Sequence, residues 1–187
     1  MSVDYRQFIV DWQAFTRAAA GTGSVIAALQ VDEEPDAQDE EDVAPLSPAV
    51  LADVTTAETA AGGLRELSIV AIRHLRTALG SEAFTDATST LFWGSLDGEM
   101  TCELPGADDL QIDCVETILA PASVELVAKA WADARLPARQ AEIAAAAERV
   151  RSTRLTPAVF GKFLYDWNHA LDAAVERRAG FVEMVYD

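Results

Sequence analysis

The chain has 187 residues, enough for one domain with a substantial core and too few for two full-sized ones. Half of the residues are hydrophobic but only 7% are aromatic, because alanine supplies much of the apolar count, and this favours closely packed helices over a large sheet. A net charge of −17, from 31 acidic and 14 basic side chains, opposes direct binding to nucleic acid or anionic lipid and favours a partner protein with a basic surface.

Asp4 has a helix-capping side chain, and Tyr5, Phe8, Trp12, Phe15 and Ala19 recur at helical spacing before Gly21 and Gly23, which predicts a first helix. Ser24 to Val31 is apolar and fits either a short strand or a helical turn. Asp32, Glu33, Glu34, Asp36, Asp39, Glu40, Glu41 and Asp42 follow with no periodicity, so residues 32–45 read as a disordered, solvated acidic loop that holds nearly half of the net charge.

Ser47 before Pro48 pairs a capping hydroxyl with a residue suited to the first helical position, and predicts a helix to about Ala60. After Gly62-Gly63, the residues Leu64, Leu67, Ala71, Ile72, Leu75 and Leu79 form one apolar face up to Gly80. Ser81 caps a further helix through Phe84, Ala87, Leu91 and Phe92, ending near Gly94. Asp97-Gly98 and Pro105-Gly106 are turn dipeptides, and Leu110, Ile112 and Cys114 alternate with Gln111 and Asp113 as in a strand. Pro121 opens a helix carrying Val124, Val127, Ala128 and Trp131, and Pro137 opens an alanine-rich one through Ile143, Ala147 and Val150. Thr156-Pro157 starts the longest helix, with Phe160, Phe163, Leu164, Trp167, Leu171 and Ala174 on one face, and Gly180 stops it. Phe181 to Tyr186 is aromatic and β-branched, a terminal strand. The expectation is one α+β domain over residues 1–187, mostly helical, with a small sheet formed by middle strands and the C-terminal strand.

Cys102 and Cys114 are too few to staple a chain of this size, and with two histidines they make no metal-ligand spacing, so no metal or cofactor is expected. A reduced, cytoplasmic setting follows. The start lacks a basic region before an apolar run, and no stretch of about 18 apolar residues occurs, so neither export nor a membrane span is expected.

Possible chemistry is thin. Asp166, His169, Asp172 and Glu176 share a face of the last helix, but that face lies opposite Phe160 and belongs to solvent. His74 sits at the edge of an apolar stripe. Gly21-Thr22-Gly23 follows a helix, whereas a dinucleotide loop follows a strand. Arg65, Arg73 and Arg76 lie to one side of their helix, where pairing with acids of a neighbouring helix is expected. Tyr5 to Trp12 echoes Phe160 to Trp167, an echo that amphipathic helices produce without duplication. The tryptophans read as core anchors, and Trp93 is the interface candidate should it be exposed.

Leu96-Asp97-Gly98-Glu99, followed after a strand-like stretch by Ile118-Leu119-Ala120-Pro121-Ala122-Ser123-Val124-Glu125-Leu126-Val127-Ala128, resembles the YfbM-like family of uncharacterised bacterial proteins. The resemblance covers the C-terminal half, with Phe163 to Tyr186 matching the family's closing helix and strand. Ala120 stands where the family usually has a Ser or Thr cap. The resemblance implies an α+β fold, no catalytic residues to carry over, and for some relatives an immunity-type role. The function expected is therefore non-enzymatic binding of another protein, as an immunity-type inhibitor of a basic toxin or enzyme. Its partner-binding residues are Asp32, Glu33, Glu34, Asp39, Glu40, Glu41, Asp42 and Trp93. The alternatives are a DNA-mimic antagonist of a nucleic-acid-binding protein and a small enzyme with a pocket near His74 or His169.

Overall fold

The computed structural model describes residues 4–29, 46–92, 100–112 and 114–186. The chain opens with a strand, β1 (Asp4–Val10), where the spacing predicts a helix. Tyr5, Phe8, Ile9 and Val10 are aromatic or β-branched and all are buried. A strand covered on both faces reads as an unbroken apolar run, which helical spacing mimics. The helix, α1 (Trp12–Thr22), begins after Asp11, whose carboxylate accepts the N–H of Ala14 at 2.9 Å. The cap is thus Asp11 and not Asp4. In the ambiguous apolar stretch, Val25–Leu29 forms a short helix, α2. The acidic residues 32–42 lie outside the described residues.

Ser47-Pro48 does not open a helix. The Ser47 hydroxyl accepts the N–H of Ala49 and its carbonyl accepts the N–H of Val50, closing a turn into an edge strand, β2 (Val50–Asp53). The helical signal belongs to Thr56, which forms a capping box with Thr59 at the start of α3 (Ala57–Ala60). Helices α4 (Gly62–Leu79) and α5 (Glu82–Leu91) follow as predicted, separated by Gly80 in the left-handed region and by Ser81, whose hydroxyl accepts the N–H of Phe84. The sheet resumes with β3 (Thr101–Cys102) and β4 (Val115–Leu119). Leu110, Ile112 and Cys114 lie outside the strands, and Gln111 forms an isolated bridge to Ser24. Pro121 opens α6 (Pro121–Ala134). Pro137 lies in a 3-10 turn, Leu136–Ala138, and the alanine-rich helix α7 (Gln140–Val150) starts three residues later. The chain closes with α8 (Pro157–Glu176) and β5 (Gly180–Tyr186).

One mixed sheet has the order β2-β1-β5-β4-β3, with β3 parallel to β4 and the other neighbours antiparallel. The C-terminal strand is therefore its centre. Residues on alternate faces of the strands enter two apolar clusters. Ile9, Leu119 and Phe181 join Ile72, Phe84, Trp131, Phe163 and Trp167 of α4, α5, α6 and α8. Phe8, Val10, Val182 and Met184 join Phe15, Ala19 and Val25 of α1 and α2. The protein is a mostly helical, single-domain α+β fold. The echoing segments share no structure, since Tyr5 to Val10 is strand and Phe160 to Trp167 is helix. No described helix is long and apolar enough to cross a membrane.

Gly180 marks where β5 leaves the turn after α8. A Cβ there would lie 2.5 Å from Cε3 of Trp12 and 3.0 Å from the carbonyl oxygen of Leu119. The indole rests against bare backbone, which only glycine allows. Gly180→Ala should cost about 1–3 kcal/mol of unfolding free energy, because neither the ring nor the carbonyl can yield without disturbing a packed face. Urea denaturation is the check, and an unchanged midpoint would contradict the close approach.

Candidate functional site

A polar row crosses the middle of the sheet. Register places Gln7 of β1 opposite Glu183 of β5, and Glu183 opposite Thr117 of β4. Gln7 and Glu183 lie two residues from Ile9 and Phe181 and so share the face that meets the larger helical layer. From that layer α4 sends down Arg65. Its Nη2 donates to Glu183 Oε1 at 2.5 Å and to Glu116 Oε2, and its guanidinium carbon lies 4.0 Å from the ring centroid of Tyr5. Gln7 Nε2 donates to the other Glu183 oxygen at 2.8 Å. Arg65 and Glu183 are both 0% exposed, and only Glu116 reaches solvent, with 21% of its side chain exposed.

Two carboxylates here share one guanidinium nitrogen, and Glu183, unlike Glu116, has no access to water. Burial pushes the Glu183 carboxyl above the usual carboxylate range, outweighing the opposing pull of Arg65, while the negative charge of Glu116 adds to the rise. Burial alone would lower the Arg65 value, but Glu183 and Glu116 together raise it. Arg65 thus stays a cation, and the excess negative charge is relieved at Glu183. Burial likewise raises the Tyr5 phenol. Ser68, one turn further along α4, is also fully buried, and its hydroxyl has no hydrogen-bond partner among the described residues. The cluster is an internal anchor: its polar atoms face one another, and removing Arg65 takes the shared donor from both carboxyl groups at about 3–5 kcal/mol.

A second arrangement lies at the surface. Where β1 passes into α1, a hollow of about 300 Å³ is walled on its apolar side by Trp12, Leu51, Pro121 and Ala179. Its polar lining is Asp11, Gln13, Arg177 and Arg178. The turn between α8 and β5 brings the two arginines there, with Arg178 at φ 51° and its N–H donated to the Val175 carbonyl. Both arginines are exposed, and neither forms an ion pair among the described residues.

The residues singled out in the sequence fall in several places. Asp32, Glu33, Glu34, Asp39, Glu40, Glu41, Asp42 and Trp93 lie outside the described residues. Arg65 pairs with acids of two strands, whereas Arg76 donates to Ser89 of α5. On α8, Asp166 accepts from Thr56 and Lys162, His169 stacks on the exposed Tyr165, and Asp172 accepts from Asn168. His74 is half-buried, and neither histidine lines the hollow. Cys102 is half-buried, with its thiol pushed up by burial. Among the described residues no group of three potential ligands could hold a metal ion. Ala120 lacks a capping side chain, and Glu103 ties down the helix start by accepting the Ala120 N–H at 2.6 Å and the Ser123 hydroxyl at 2.5 Å.

Glu183 and Gln7 escaped the sequence reading, although a signal existed. A lone acid between Val182 and Met184, in a strand expected to be buried, requires a buried partner. Compared with known proteins, the chain matches no family model, no curated protein and no solved structure at a significant level.

The raised value at Glu183 has a measurable consequence. The native state holds a proton there between the unfolded value of about 4.3 and its own higher one, so that stability is complete below about pH 4 and is lost as pH rises through the folded value. Relative to Glu183→Gln, which keeps a neutral acceptor for Arg65, the native protein should lose stability as pH rises from about 4.3 toward neutrality. Urea denaturation of both proteins across that range is the check; a constant difference would contradict the assignment.

Proposed function

We propose that the chain is a non-enzymatic, acidic protein-binding domain, in its specific form an immunity-type inhibitor, whose partner presents a basic surface. The observation that carries this reading is the surface at the outer edge of the sheet, where Leu51, 45% exposed on the edge strand β2, stands beside the hollow. A strand edge with no partner among the described residues offers N–H and C=O groups for strand addition, and an adjoining hollow seats a side chain of the added segment. The net charge of −17 draws a basic partner from a distance. The two arginines at the hollow then select register by local opposite charge. Asp32, Glu33, Glu34, Asp39, Glu40, Glu41 and Asp42 serve the encounter rate in this scheme.

The likeness to the YfbM-like family belongs to the same proposal. Its principal segment, residues 118–128, forms the end of β4 and the first turns of α6.

A photo-crosslinking residue placed at Leu51, in the protein expressed in its native cell, should yield one discrete protein adduct. The same residue at Leu126, exposed on α6, should not. If Leu51 yields no adduct at either low or physiological salt, the binding surface is not this edge and the reading fails.

A further inference from the structure

The lining of the hollow divides by chemistry, and the division describes a ligand. Trp12, Leu51 and Pro121 offer hydrocarbon, while Arg177 and Arg178 offer guanidinium groups with no ion-pair partner among the described residues. The lining also holds one carboxylate, Asp11, which accepts the N–H of Ala14 through Oδ1, so two arginines face a single acid. On a chain of net charge −17, two uncommitted arginines at one hollow run against the surface average. Guanidinium groups favour carboxylates, which they hold by paired N–H donors. A volume of about 300 Å³ fits one residue rather than an extended ligand.

We infer that the hollow binds a carboxylate carried on an apolar residue, namely the C-terminal residue of the partner protein. The inference rests on the protein-binding reading above. The terminal carboxylate meets Arg177 and Arg178, the last side chain lies against Trp12 and Leu51, and the preceding residues extend along the open edge of β2. Trp12 is held in place because its indole lies on Gly180, so the apolar wall is fixed before a ligand arrives.

The test is a titration of the isotope-labelled full chain by nuclear magnetic resonance with three probes: the peptide acetyl-Gly-Gly-Gly-Gly-Leu with a free carboxyl, the same peptide amidated, and acetyl-leucine. The free peptide should shift the Trp12 indole N–H and the Ala179 and Gly180 amides, and the amidated one should bind about tenfold more weakly or not at all. Arg178→Gly, which the left-handed backbone accommodates, should weaken the free peptide about tenfold while leaving the fold intact. Arg151→Gly, at a left-handed position ending α7 outside the hollow, should leave binding unchanged. Equal binding of the free and amidated peptides overturns the carboxylate assignment. Acetyl-leucine binding as tightly as the peptide overturns the C-terminus in favour of a small organic acid. A partner crosslinked through Leu51 whose C-terminus can be amidated without loss defeats this inference and leaves the protein-binding reading standing. Absence of any partner defeats that reading itself.

Discussion

The contact on which the structure depends is the pairing of Arg65 with Glu183 and Glu116 between the larger helical layer and the sheet. A buried guanidinium tolerates only arrangements that leave it paired. Register in the central strand is thereby constrained. A one-residue slip of β5 against β1 would carry Glu183 to the opposite face, among Phe15 and Val25, and leave Arg65 without it. The apolar residues of β5 discriminate less, because both faces of that strand are buried in hydrophobic clusters. Charge, and not hydrophobicity, chooses between the two faces here.

The same strand links the interior to the surface. β5 starts at Gly180, immediately after Arg177 and Arg178, and Trp12 lies on that glycine. Pinning Glu183 therefore fixes the turn that holds the arginines, and pairing of Val10 with Gly180 fixes the start of α1 across from it. The hollow is assembled from the ends of elements whose centres are held by the ionic cluster. Its walls are set by the fold before any partner arrives.

The helices with local signals were legible in the sequence. Thr156-Pro157, Ser81 and Gly80 act through bonds within a few residues, and each stands where local chemistry places it. Misreadings arose where tertiary contacts override local pattern. Tyr5 to Val10 has helical spacing because both faces of its strand are covered, and Ser47-Pro48 turns into β2 because Ala49 accepts the N–H of Asp11 across the sheet. Glu103 holds the start of α6 from 17 residues away, which no short window reveals. Of the candidate site, Arg65 was visible as a residue but not as a buried one, since its partners come from strands far along the chain. The hollow joins positions near 12, 51, 121 and 178, a juxtaposition that only the folded chain makes.

The most direct measure of the anchoring contact is a double-mutant cycle on unfolding free energy at neutral pH, with Arg65→Met, Glu183→Leu and the two combined. Each single replacement should cost about 2–3 kcal/mol by leaving the other buried polar group without its hydrogen-bond partner, and the double mutant should recover at least about 1 kcal/mol of their sum. Costs that add within about 0.5 kcal/mol would show that the two residues act independently and would contradict the account.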